Sequence, residues 1–211
     1  LARTLEFVEV RRERRERMER MERMATFIYM VRHGESPKLP GETERTRGLT
    51  AKGEEDARKI TEKLRLEGIQ VFYSSPYLRA IHTISGLAQD LGAEIQSVED
   101  LREIHFSDGN KIMTDQELYP LLTKMFEDPD FVPVGGESIH ACQKRSVSML
   151  AEILSNHSGQ KVAIGTHGAV MTLMMNYFDA KYDLNFLLQT TKPDIYKMKF
   201  AGGTLVDVER L

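Results

Sequence analysis

The sequence predicts an α/β fold, a three-layer sandwich with a mainly parallel central sheet, helices on both faces and a small helical cap. Three observations carry that expectation. From Thr26 onward, short β-branched and aromatic runs alternate with longer stretches of helical period. Three of the short runs end abruptly in polar or glycine-bearing turns: Arg32-His33-Gly34, Ser74-Ser75-Pro76 and Thr166-His167-Gly168. The alternation is interrupted once, by a long segment with Pro129, Pro133 and Gly135-Gly136 that contains its own helical stretch.

The elements follow in order. Thr26 to Val31 reads as a buried strand, and Thr50 to Leu66 as a helix with Ala57, Ile60 and Leu64 on one face and Gly68 as its stop. Ile69 to Tyr73 is a second strand. Ser75 is then expected to cap a helix with Pro76 in its first position and Leu78, Ile81, Ile84, Leu87 and Leu91 as its buried stripe. Helices are expected from Asp115 to Phe126 and from Ser138 to Asn156, followed by a strand from Lys161 to Thr166 and a helix from Ala169 to Phe178. Ile195 to Phe200 and Thr204 to Val208, around Gly202-Gly203, form a terminal antiparallel hairpin.

The first 23 residues differ from the rest. Arg11 to Arg23 is almost entirely Arg and Glu, with Glu13/Arg17, Glu16/Arg20 and Glu19/Arg23 as i,i+4 pairs and little apolar surface. A polar helix without an apolar face is marginal in water, so residues 1–23 are expected to be a solvated or disordered extension, with Met24 a candidate native start and 24–211 a single domain. A docking or oligomerisation helix is the alternative. The chain has 211 residues, 41% of them hydrophobic, enough for one sizeable core. A net charge of −3 gives no reason to invoke nucleic acid or an anionic membrane. Cys142 is the single cysteine, so an intrachain disulfide is excluded, no Cys/His cluster has zinc spacing, and a reducing cytoplasm fits best. No apolar stretch approaches membrane-spanning length.

The strand ends carry the chemistry. Ligands of open α/β sheets bind at the carboxyl edge of the strands. Arg32 and His33 sit there, as does His167, and Arg79 lies in the first turn of the helix after the second strand. Two arginines and two histidines converging on one point suit an anion, phosphate above all, because guanidinium forks match its oxygens and a helix amino terminus adds a favourable field. His33 could act as a nucleophile there, while Gly34 lets the backbone turn.

With these residues in view the chain resembles the histidine phosphatase superfamily, also called phosphoglycerate-mutase-like. The matching stretches are VRHGES (31–36), RTRGLTAKG (45–53), YSSPYLRAIHT (73–83), LREIHF (101–106), GGES (135–138) and GTHG (165–168), in the family's order. The resemblance implies a nucleophilic His33, a phosphate pocket from Arg32, Arg79 and His167, and an acid/base carboxylate at Glu103. Among Glu99, Asp100, Glu103 and Asp108, only the match to the Leu-Arg-Glu-Ile stretch selects Glu103. His33 would attack unprotonated, its other nitrogen held by a backbone carbonyl, and His167 would donate a hydrogen bond, best as imidazolium. No metal and no cofactor are required.

Departures from the family's pattern bear on substrate. Members with mutase activity carry a Trp-Asn pair and a paired-arginine insert for a second anion. This chain has Pro37-Lys38-Leu39-Pro40 instead, no Trp, and only Lys111 and Lys124 as cations between His105 and Phe131. The expected function is therefore a phosphomonoesterase acting on a small phosphorylated metabolite through phosphohistidine. A phosphoglycerate mutase-type transfer is one alternative, and a catalytically silent binding module is the other. Ser107-Asp108-Gly109-Asn110 replaces the family's glycine and tryptophan after the acid residue. Met113, Tyr119, Met125, Phe126 and Phe131 are expected to pack the cap, with direct substrate contact as the alternative. Lys38, Arg45 and Arg47 are expected to be solvated loop charges, with a hold on a second anionic group of the substrate as the alternative, and His105 is expected to be the additional histidine at the site. The sequence is silent on oligomeric state.

Overall fold

The computed structural model describes residues 12, 15, 24–39, 42–108 and 113–211. The reading of residues 1–23 as a charged extension lies outside them except at Arg12 and Arg15, as do Pro40, Gly109, Asn110 and Lys111. The described chain forms β1 (Thr26–Arg32), α1 (Ala51–Leu64), β2 (Val71–Ser74), α2 (Leu78–Asp90), β3 (Ile95–Ser97), a 3-10 turn (Glu99–Leu101), α3 (Asp115–Glu127) and α4 (Ile139–Asn156). It continues with β4 (Lys161–Thr166), α5 (Gly168–Phe178), α6 (Leu184–Gln189), β5 (Asp194–Ala201) and β6 (Thr204–Arg210).

The six strands form one mostly parallel sheet in the order β3-β2-β4-β1-β5-β6. The contacts β3·β2, β2·β4 and β4·β1 are parallel, and the terminal hairpin adds β5 and β6 antiparallel. Gly202 and Gly203 both turn with positive φ, as a tight two-residue hairpin requires. β1 alternates in the manner of a central strand covered on both faces. Ile28 and Met30 enter the core shared with α4 and α5, while Tyr29 and Val31 enter the core built with α1 and α2. Ile28 and Met30 are fully buried, each contributing about 1.5–3 kcal/mol of apolar burial.

Local chemistry sets the helix starts. Thr50 caps α1 by accepting from the Gly53 amide, Ser138 caps α4 by accepting from Ala141, and Thr114 with Glu117 closes a capping box on α3. The helix after β2 departs from the expected start. It begins at Leu78, with Tyr77 rather than Ser75 before it, because the Ser75 hydroxyl accepts from the Tyr77 amide and faces His167. Its buried side also differs: Arg79, Ala80, Thr83, Ile84, Leu87 and Ala88 are inside, whereas Leu78 and Leu91 are exposed. β3 and α6 were not expected. One is a three-residue edge strand, and the other has six residues, too few to show a period. Among the described residues no helix is long and apolar enough to cross a membrane.

Candidate active site

Sheet register brings the polar strand ends to one edge. Arg32 pairs with Thr166 across β1·β4, Ser74 pairs with Gly165 across β2·β4, and the His33 amide continues the ladder to the Thr166 carbonyl at 3.0 Å. Three parallel strands therefore end flush, and the side chains that follow them share one neighbourhood.

His33 is buried, and its Nδ1 lies 2.7 Å from the Gly34 carbonyl. That contact assigns the ring proton to Nδ1, so Nε2 accepts from Arg79 Nε at 3.2 Å. His167 is fully buried behind it, with ring centroids 5.2 Å apart and Nε2 at 2.7 Å from Ser75 Oγ. Burial, then the Arg79 charge, pushes both imidazoles well below the ordinary histidine pKa. The imidazolium expected at His167 is thus disfavoured, because Arg79, Arg47 and Arg32 already surround it.

Two histidines held neutral make stability depend on pH. The unfolded chain takes up protons at histidine near pH 6.5 whereas the native state does not, so stability is complete above that pH and falls below it. We expect a loss of about 1.4 kcal/mol per pH unit for each histidine. Urea midpoints at pH 7.5 and 5.5 check this, and an unchanged midpoint would contradict neutral burial.

Arg79 is 1% exposed and makes three contacts. Besides His33, it donates Nη1 to the Glu44 carbonyl at 2.5 Å and Nη2 to Glu44 Oε2 at 2.8 Å. Arg32 donates Nη1 to Thr190, and Gly168 lets its guanidinium lie against the start of α5, since a Cβ there would come within 2.9 Å of it. Arg32 Nε and His167 Nδ1 are buried with no hydrogen-bond partner among the described residues.

Glu103 follows the 3-10 turn and sets its carboxylate on the amino terminus of α5. Oε1 accepts from Val170 N at 2.9 Å and Ile104 N at 3.0 Å, and Oε2 accepts from Ala169 N at 3.1 Å. A brace holds this segment. Arg145 donates to the carbonyls of Asp100, Arg102 and Glu103 and forms a two-point ion pair with Glu137, which also accepts from the His105 amide. The competing carboxylates lie elsewhere: Glu99 pairs with exposed Arg45, and Asp100 and Asp108 do not line the cleft.

The cleft, about 130 Å³, brings together Arg32, His33, Arg79 and Glu103, with His105 on its wall. His167 is not on that wall and contributes from beneath. Met113 and Leu118 approach from the cap side, while Met125 is fully buried and Phe126 and Phe131 pack against the core. The reading of the loop cations needs correction. Arg45 is exposed, but Lys38 and Arg47 line the cleft, and Arg47 is only 7% exposed. Glu44 and Lys192 also line it without a recognisable sequence signal, because only the folded loops bring them there, and Tyr77, inside the stretch YSSPYLRAIHT, lines it too.

Comparison with known proteins gives a consistent picture. The description of the histidine phosphatase superfamily (branch 1) matches residues 28–206. The phosphoglycerate mutase-like protein 4 of Arabidopsis thaliana is 28% identical over 197 residues, covering 87% of this chain and 79% of the relative. A metal-independent phosphoserine phosphatase of the same plant is 31% identical over 159 residues, 69% of this chain and 66% of the relative. Among solved structures, Bacillus stearothermophilus YhfR superposes with a TM-score of 0.72 at 26% identity, over 86% of this chain and 94% of that one.

Proposed function

This chain belongs to branch 1 of the histidine phosphatase superfamily, and from that membership and its cleft we propose that it is a metal-independent phosphomonoesterase for a small phosphorylated metabolite. The observation that carries the reading is the buried His33, with Nδ1 held by the Gly34 carbonyl and Nε2 turned to Arg79 in a cleft shared with Arg32 and Glu103. A lone pair so oriented suits in-line attack on a phosphoryl group whose oxygens are charge-balanced by guanidinium.

In the first step Nε2 bonds to phosphorus, the ester P–O bond breaks, and the departing oxygen takes a proton from Glu103. In the second, water attacks phosphorus, gives a proton to Glu103, and the P–N bond returns its electron pair to Nε2. His167, bonded to Ser75, supports the pocket floor, and its Nδ1, which like Arg32 Nε has no hydrogen-bond partner among the described residues, is a group available to phosphoryl oxygens. Rapid acid-free quenching should trap an acid-labile phosphoenzyme, and its absence under pre-steady-state conditions would remove this mechanism. Glu103→Gln should slow alkyl phosphates by about a hundredfold and aryl phosphates much less, because a phenolate leaves without a proton. Equal slowing of both would deny Glu103 the acid role.

Hydrolysis is favoured over mutase-type transfer because the sequence lacks the Trp-Asn pair and the paired-arginine insert that serve a second anion in mutases. Among the described cations of the cleft, Lys38 is paired with Asp115. A catalytically silent module would lack at least one of Arg32, His33, Arg79, Glu103 and His167, and all five are present.

A further inference from the structure

Glu44 is built into the cleft as an anion. Its Oε2 accepts from Arg79 Nη2 at 2.8 Å and from Arg47 Nη2 and Nε at 2.8 and 3.2 Å, so one carboxylate oxygen is shared by two buried guanidiniums. Burial works to raise the Glu44 pKa, and the two arginines outweigh it, keeping the carboxyl below its usual range. Arg47 is anchored on its other side by a 2.8 Å bond from Nη1 to Ser36 Oγ, three residues beyond His33. The donors that two guanidinium forks offer one carboxylate oxygen equally suit a phosphoryl oxygen.

We propose that Glu44 is a displaceable stand-in for the substrate's phosphoryl group, and that Arg47 is a further phosphoryl ligand which exchanges Glu44 for a phosphoryl oxygen when substrate binds. This assignment rests on the phosphatase reading. The exchange keeps both guanidiniums paired with an anion before and after binding, which avoids leaving a buried charge uncompensated. It also makes substrate affinity a difference between two anions competing for the same donors.

The test is calorimetric titration of inorganic phosphate into the full chain and its variants at fixed pH and salt. Glu44→Gln removes the competitor and should tighten phosphate about tenfold, whereas Arg47→Ala removes a donor and should weaken it about tenfold. Arg45→Ala, which removes an exposed loop charge, should change it less than about twofold. If Glu44→Gln fails to fold, Glu44→Asp, with a shorter reach to both arginines, should tighten phosphate in the same direction. Weakening or no change with either Glu44 variant would make the pair merely structural and overturn the proposal. So would equal weakening by Arg45→Ala and Arg47→Ala, which would reduce the effect to net charge. Failure of the unaltered chain to bind phosphate would instead sink the phosphatase reading on which the exchange rests.

Discussion

His33→Ala is expected to lower turnover of an aryl phosphate in chelator by a factor on the order of a millionfold, the scale seen when an activated nucleophile is removed. The expectation follows from the ring's setting. The Gly34 carbonyl fixes one nitrogen and Arg79 faces the other, so truncation removes the lone pair held at that position. Water would have to attack directly, without the covalent intermediate. The fold should survive, since the His33 amide keeps its bond to Thr166 whatever the side chain. A variant with unchanged melting temperature and residual activity above one-hundredth of the original would refute the covalent assignment.

Arg79→Ala should have the second largest effect, a loss in kcat/KM on the order of a thousandfold. Its guanidinium touches His33 Nε2 and the Glu44 carboxylate at once, so truncation removes charge from the attack position and unseats the loop that carries Glu44. Burial lowers its pKa to about 10, which still leaves it cationic at neutral pH. Arg79→Lys should not restore activity, because a single ammonium cannot serve the three donor directions that the fork serves here. Steady-state kinetics on all three proteins decide the matter, and recovery by lysine to within tenfold would show that charge alone suffices.

Much of this arrangement is legible in the sequence, for identifiable reasons. β1, β4 and the capped helices α1 and α4 announce themselves through period, Thr50 and Ser138, and the register of parallel strands then brings Arg32, His33 and Ser74 to one edge. What escaped depends on tertiary contact. Ser75 looks like a cap until His167 claims its hydroxyl, and Arg47 looks like a loop charge until Ser36 and Glu44 bury it. The setting of His167 escapes for the same reason, since only the fold reveals its burial and the guanidiniums near it. Lys192 lies more than 150 residues from His33 in the chain, and no local pattern ties it to the cleft it lines.

The segment between Ser36 and Gly48 is fastened at its base. The Ser36 hydroxyl donates to the Gly48 carbonyl at 2.6 Å, the Thr50 amide donates to the Glu35 carbonyl at 3.0 Å, and the Gly53 position abuts Glu35 so closely that a Cβ would fall 2.2 Å from its carbonyl oxygen. The strand end that presents His33 and the helix that follows the loop are thereby joined directly to each other. His33 is in this sense seated by a junction at the root of the loop, and Arg47 reaches that junction from within the loop through its bond to Ser36. A change at exposed Leu39 would then leave the reacting imidazole in place, whereas one at Glu44 or Arg47 would reach the donors that face the anion.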